Sequence, residues 1–178
     1  KGNFRVRKDN SYTIIVNDFA ENKNLQPVRY YVKALYDSNP AIELVYPKQD
    51  VSLANDSRVP IEVKVNDDYG FSKLILNYKL TSSRYEPVQE KFSMIEVSID
   101  KKIKEQIVDH IWNLTQLNPA VNDVYSFYLE IFDNDNVSGP KSAKTQIINV
   151  RVPSLDEILS NADETQENVQ DEMQETLQ

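Results

Sequence analysis

Residues 12–40 and 127–153 of this chain follow one plan, and that repetition limits the possible folds more than any other feature. The first stretch reads YTIIVNDFAENKNLQPVRYYVKALYDSNP and the second FYLEIFDNDNVSGPKSAKTQIINVRVP. Each opens on an aromatic-led alternating run that ends in an aspartate, Asp18 or Asp133. A polar turn containing proline follows, then a second alternating run closed by Pro40 or Pro153. The offset between the two is 115 residues at the start and 113 at the end. Two tandem copies of a domain of roughly 110 residues would give this pattern, the first represented only by its last two strands.

Between the two stretches the apolar residues recur with period two, the period of a strand with one buried face. Ile61, Val63 and Val65 alternate with Glu62 and Lys64. Phe92, Met94 and Glu96 alternate with Ile95, Val97 and Ile99. Tyr125, Phe127, Leu129 and Ile131 form one face of a strong strand, and Ile148, Val150 and Val152 one face of the last. Turn signals such as Asn66-Asp67-Asp68-Tyr69-Gly70 punctuate these runs. A single sheet would leave one apolar face in water, whereas a second sheet removes that face from solvent at about 25 cal/mol per Å². The expected fold is all-β, an immunoglobulin- or fibronectin-like sandwich, with an N-terminal β-hairpin and a C-terminal acidic helix. The expected domains are 1–42, the last two strands of a preceding similar domain; 43–153, the sandwich; and 154–178, the acidic amphipathic helix.

One stretch reads two ways. Ile103, Ile107, Val108, Ile111 and Leu114 fit a helical stripe, with Asp100 as N-cap and Asn118-Pro119 as a stop. The same residues also allow a short helix followed by a strand at 111–114. The second version is preferred, because a sandwich needs a strand just before Tyr125.

Charge is unevenly placed. Residues 154–178 contain eight acids and no Lys or Arg. These eight equal the whole net charge of −8, so residues 1–153 carry 20 basic groups against 20 acidic. A neutral body lacks the clustered Lys and Arg on which nucleic-acid binding rests, and no nucleic-acid partner is expected. With no cysteine, neither a disulfide framework nor a cysteine zinc site can form. No apolar run approaches the length of a membrane helix. The chain starts at Lys1-Gly2-Asn3 and stops within a helical pattern, which reads as a piece of a longer protein.

Four runs carry a resemblance. They are Asp67-Asp68-Tyr69-Gly70-Phe71-Ser72-Lys73-Leu74, Trp112 through Leu117, Tyr128 through Lys141, and Val152-Pro153-Ser154-Leu155-Asp156-Glu157-Ile158. In this order they resemble a family of large membrane-anchored bacterial envelope proteins of unknown function. That family has N-terminal membrane helices, tandem immunoglobulin-like domains and a long Gln/Glu-rich helical region. The likeness spans roughly residues 40–160, and its most specific part is Asp133-Asn134-Asp135 through Gly139-Pro140-Lys141, followed by Pro153 to Glu157. Where the family has a Pro-Gly-Asp turn, this chain has the longer Asn118-Pro119-Ala120-Val121-Asn122-Asp123. The resemblance implies a periplasmic location in the cell envelope and a full-length protein with a membrane span. It implies no biochemical activity.

Candidate chemistry is sparse. Asp133, Asp135 and Asn136, with Asn134 between them, place oxygen donors in one loop, and Ca²⁺ takes six to eight such oxygens. Asp and Asn are also the residues that form turns by bonding their own backbone, and no glutamate stands where an EF-hand would need one. The turn is the preferred reading, calcium the alternative, and no other cofactor is expected. His110 is the sole histidine, and no nucleophile elbow, Walker loop or dinucleotide fingerprint occurs. A non-enzyme is expected. Tyr30, Tyr31, Tyr78, Tyr85 and Tyr128 lie in alternating runs and could form either a binding face or cross-strand pairs.

The tail begins with a capping box, Ser154-x-x-Glu157, immediately after Pro153. Leu155, Ile158, Ala162, Val169 and Met173 recur at steps of three, four and seven residues and form a narrow seam for a partner. Like charges flank that seam, so the helix is marginal alone and needs a protein partner, a neighbouring domain of the same chain or a longer coiled coil; a solvated, frayed end is the alternative. The expected function is therefore a non-catalytic spacer and protein-interaction module. A carbohydrate- or calcium-dependent adhesion domain is the alternative.

Overall fold

The computed structural model describes residues 6, 8–34, 36–53, 56–136 and 139–160. The chain divides into two compact units, Lys1–Asp37 and Ser38–Gln178. The sequence reading placed a boundary after residue 42. Ala41 and Ile42 instead pair with Asn66 and Val65, so the strand they begin belongs to the second unit.

The first unit contains one antiparallel pair, β1 (Asn10–Thr13) and β2 (Arg29–Val32), with Tyr12 opposite Tyr30. Those two rings stack at 5.2 Å between centroids. The turn region is organised by Asp18, whose Oδ1 accepts the N–H groups of Ala20 and Asn22. These bonds, that from the Asn22 side chain foremost, hold the Asp18 carboxyl below its ordinary range.

The second unit is all-β. Its strands are β3 (Ala41–Tyr46), β4 (Val51–Ser52), β5 (Arg58–Asn66), β6 (Phe71–Ser82), β7 (Ser93–Val97), β8 (Glu105–Asn113), β9 (Val124–Asp133), β10 (Ser142–Lys144) and β11 (Ile148–Arg151). One sheet runs β3-β5-β8, and the other β4-β11-β9-β6-β7 with β10 attached to β9. All pairings are antiparallel except β11 with β4. Alternation decides what each strand buries. On β5, Val59, Ile61, Val63 and Val65 point inward while Arg58, Pro60 and Lys64 face solvent. On β9, Tyr125, Phe127, Leu129 and Ile131 are buried, and Ile148 and Val150 do the same on β11. Inward residues of both sheets form one core, so the sheets face each other and remove each other's apolar face from water.

The stretch 103–117 corrects the helical expectation. It is strand β8 over Glu105–Asn113, followed by a single 3₁₀ turn at Thr115–Leu117. Nine consecutive residues of β8 pair with β5, from Glu105 opposite Asn66 to Asn113 opposite Arg58. A helix there would have left the β5 edge unpaired. Asp100 caps no helix; its Oδ1 accepts the Lys102 N–H, and the Gln106 side chain closes the loop on the Asp100 backbone.

Trp112 lies at the centre of the core, 1 % exposed, with Tyr78, Phe127 and Tyr125 around its ring. After β11, Val152 and Pro153 are buried and residues 155–160 are helical. The remainder of the expected helix lies outside the described residues. No helix among the described residues is long and apolar enough to cross a membrane.

Candidate functional site

A polar cluster lies at one end of the second unit, where the 66–70 loop meets the loop that follows β9. Gly70 makes that meeting possible. It has a φ of +103°, and a Cβ there would stand 2.8 Å from the Lys101 carbonyl oxygen. The Gly70 carbonyl accepts the Asn134 N–H, and the Asn134 side chain donates to the Tyr69 carbonyl at 2.9 Å.

Of the residues read as a calcium loop, Asp133 is fully buried, Asp135 half-buried and Asn136 exposed on a turn. Asp133 Oδ1 accepts the N–H of Asp135 at 3.2 Å and of Lys141 at 2.8 Å, which shapes the loop from within. Asp67 does the same in its own loop, its Oδ2 accepting from Tyr69 and Gly70. Asp18 of the first unit bonds the residue two further on, as Asp133 does, so the aspartates paired by the internal repeat share a local role. That is the behaviour of Asx turns.

The outer face of the larger sheet holds a second group that sequence reading alone did not assemble. Lys73 lies 4.5 Å above the Phe132 ring, Lys79 4.8 Å above Phe92 and Lys144 5.2 Å above Tyr128. Phe92 and Tyr128 meet edge to face at 5.0 Å. Cation–π contacts of this kind contribute about 0.5–1 kcal/mol each at exposed sites. Cross-strand register builds the patch, Lys73 sitting opposite Phe132 and Asn77 opposite Tyr128. No fixed spacing along the chain could have signalled it. Of the other tyrosines singled out, Tyr78 turns inward onto Trp112, whereas Tyr30, Tyr31 and Tyr85 are exposed.

His110 is half-buried on β8 opposite Ile61, and burial lowers its pKa below the ordinary imidazole value. It borders a surface groove with Tyr46, Pro60, Glu62, Asp109 and Ile111, which contains no Ser, Thr or Cys nucleophile.

At the C-terminal end the capping box is formed. Ser154 N donates to Glu157 Oε2 at 2.8 Å, and Glu157 N donates to Ser154 Oγ at 3.3 Å. Arg151 adds a two-pronged pair to the same carboxylate at 2.8 and 2.9 Å. Arg151 first, and the Ser154 backbone N–H second, hold the Glu157 carboxyl down to about 2. Of the residues read as a partner seam, Leu155 is exposed and Ile158 half-buried. Ala162, Val169 and Met173 lie outside the described residues.

No protein-family model and no curated protein matches the chain. Among solved structures it is similar to a solution structure described as a late embryogenesis abundant (LEA) protein. The two are 13% identical, and the match covers 66% of this chain and 73% of the other with a TM-score of 0.37. A likeness that slight carries no argument about fold or activity.

Proposed function

We propose that this chain is a non-catalytic spacer and protein-interaction module built from immunoglobulin-like repeats. The observation that carries the reading is the recurrence of one sequence plan 115 residues apart. Asp18 and Asp133 each end the first run of the repeat, and each accepts the N–H two residues on. Tandem domains of one kind are how chains build distance between other parts. The order β3-β5-β8 facing β11-β9-β6-β7 supports an immunoglobulin- or fibronectin-like sandwich for the second unit. One departure from antibody domains is that the buried Trp112 sits on β8 and not on the third long strand, β6. The resemblance to membrane-anchored bacterial envelope proteins supports a periplasmic location. The Lys–aromatic patch is the surface best suited to a partner, since half-buried aromatic rings beside cations are common binding anchors.

The competing adhesion reading makes opposite predictions. Thermal melts with millimolar calcium and with a panel of soluble glycans should leave the transition unmoved. A saturable, ligand-specific rise that Phe92→Ser and Tyr128→Ser abolish would establish glycan adhesion instead. Location is tested by protease shaving of intact cells against spheroplasts, where protection in both would place the domain in the cytoplasm.

A further inference from the structure

Strand β8 is an open edge of the smaller sheet, whose order ends β3-β5-β8. Two bonds fix which way its backbone points. The Leu114 N–H donates to the Ser57 carbonyl at 2.9 Å and the Asp67 N–H to the Lys104 carbonyl at 2.8 Å, both continuing the register of the β5–β8 pair. In an antiparallel strand, bonding toward one neighbour recurs at every second residue. Val108, His110 and Trp112 therefore bond to β5. Ile107, Asp109 and Ile111 turn their N–H and C=O groups to the open side, where no strand among the described residues pairs with them.

Sheet edges are ordinarily blunted by shortness, bulges, proline or lysine. The other edges of this unit follow that rule. Strands β4 and β10 have two and three residues, β7 has five, and β3 is bulged between Leu44 and Tyr46. Strand β8 does not follow it. Its nine residues pair with β5 without a register shift, and none of them is Lys, Arg, Pro or Gly. Lys104, just before the strand, has its ammonium over the Tyr69 ring.

The outward side chains decide what an added strand must carry. Ile107 and Ile111 are exposed, with Asp109 between them. Glu105 is matched by Lys64 at 2.7 Å. Asp109 instead stands directly opposite Glu62 on β5, and like charges so placed destabilise a sheet. A cation arriving on the open side of Asp109 relieves that opposition. A second copy of β8 does not supply one. Paired antiparallel about Asp109 it sets that acid against itself, and the next registers set it against Ile107 or Ile111.

We infer that the β8 edge receives an extended protein segment as an added strand, with Lys or Arg opposite Asp109 and branched apolar residues opposite Ile107 and Ile111. This rests on the reading of the chain as an interaction module, and it assigns that module a surface separate from the Lys–aromatic patch.

The test uses the intact, isotope-labelled chain and a blocked threonine-based peptide with Ile, Lys and Ile at alternate positions. Its analogue with Glu in place of Lys is the comparison. Without peptide, the amides of Ile107, Asp109 and Ile111 should exchange orders of magnitude faster than those of Val108 and Trp112. The Lys peptide should slow those three amides and shift their resonances saturably. The Glu peptide should bind at least about tenfold more weakly. Asp109→Lys should reverse the order of the two peptides. The inference is overturned if the three amides are already protected in dilute chain without peptide, because the edge is then covered. Protection that appears without peptide as the protein concentration rises makes a second copy the occupant, and overturns it too. So do equal binding of both peptides, binding of neither, and shifts confined to Phe92 and Tyr128. A preference for the Lys peptide that survives Asp109→Lys, or Asp109→Asn if the first variant does not fold, has the same consequence. None of these outcomes decides the module reading, which stands or falls on the calcium and glycan melts.

Discussion

At Trp112 the side chain is both the largest fully buried group and a polar liability. Its indole Nε1 is buried with no hydrogen-bond partner among the described residues, while its ring contacts three aromatic neighbours. Trp112→Ala should lower stability by about 3–5 kcal/mol through the cavity it leaves. Trp112→Phe should cost less than half of that, because it keeps much of the packing and removes an unsatisfied donor whose burial costs about 1–3 kcal/mol. Urea titration of both variants measures the difference, and equal losses would show that the donor is satisfied. Tyr125 provides a pH handle in the same core. Burial first, then the charges of Asp123 and Glu86, pushes its phenol up to about 12. The folded state therefore favours the neutral phenol, and the unfolded chain releases the proton sooner. Stability from this group is whole below pH 10 and is lost as pH rises from 10 towards 12. Tyr125→Phe should be nearly silent at pH 7 and flatten the alkaline end of the stability profile.

The strands show where the sequence was legible and why it failed where it did. On β5, β9 and β11 the alternation was clean, and Ile61, Phe127 and Val150 are buried as the period-two pattern requires. On β8 the same pattern was present but masked. Ile107 and Ile111 stand four residues apart, a spacing that belongs equally to one helical turn and to two strand repeats. Both are exposed, 60 % and 61 %, so they are outward residues of a strand and not the core stripe of a helix. The inward set is Val108 and Trp112, likewise four apart. Only the partner strand separates the two readings, and a partner 39 to 55 residues away leaves no local mark. The Asp133 loop was legible as a turn, yet the cross-strand lysines were invisible because their roles depend on register. The C-terminal cap was fully local and was legible. Its counter-charge was not, since the tail has no basic residue and Arg151 lies on the preceding strand. With the Glu157 carboxyl lowered to about 2, this contact stabilises the cap above the unfolded pKa near 4.3 and is lost as pH falls from there towards 2. At pH 4 Glu157 still holds its charge, while carboxylates with ordinary pKa values are about half neutralised and repel less. Helicity of the tail in the intact chain, followed by NMR shifts, should therefore rise from pH 7 to pH 4 and collapse near pH 2. Arg151→Ala should move that collapse to higher pH, and an unmoved collapse would mean that the pair contributes nothing to the cap.

At the scale of the chain, the two units differ in what they can support by themselves. Every member of the main core comes from the second unit, between Leu44 and Val152. The first unit has Ala34 as its one buried hydrophobic among the described residues, while Phe19, Leu25 and Tyr31 are almost wholly exposed. A two-stranded hairpin without a covered face is marginal in water. A sandwich with sheets on both sides of its core unfolds as one cooperative piece. Residues 38–160 expressed alone should accordingly melt in a single transition, whereas residues 1–37 alone should hold no strand pairing detectable by NMR. In the intact chain, amides on β5, β6 and β9 should exchange only through global unfolding, and those on β1 and β2 should exchange orders of magnitude faster. The protein concentration separates two ways of covering the hairpin. If β1 and β2 gain protection as concentration rises, a second copy of the chain supplies the missing face. If they are protected as strongly as β9 at the lowest concentration, the first unit is a self-sufficient domain, and the reading of it as the last two strands of a larger sandwich fails.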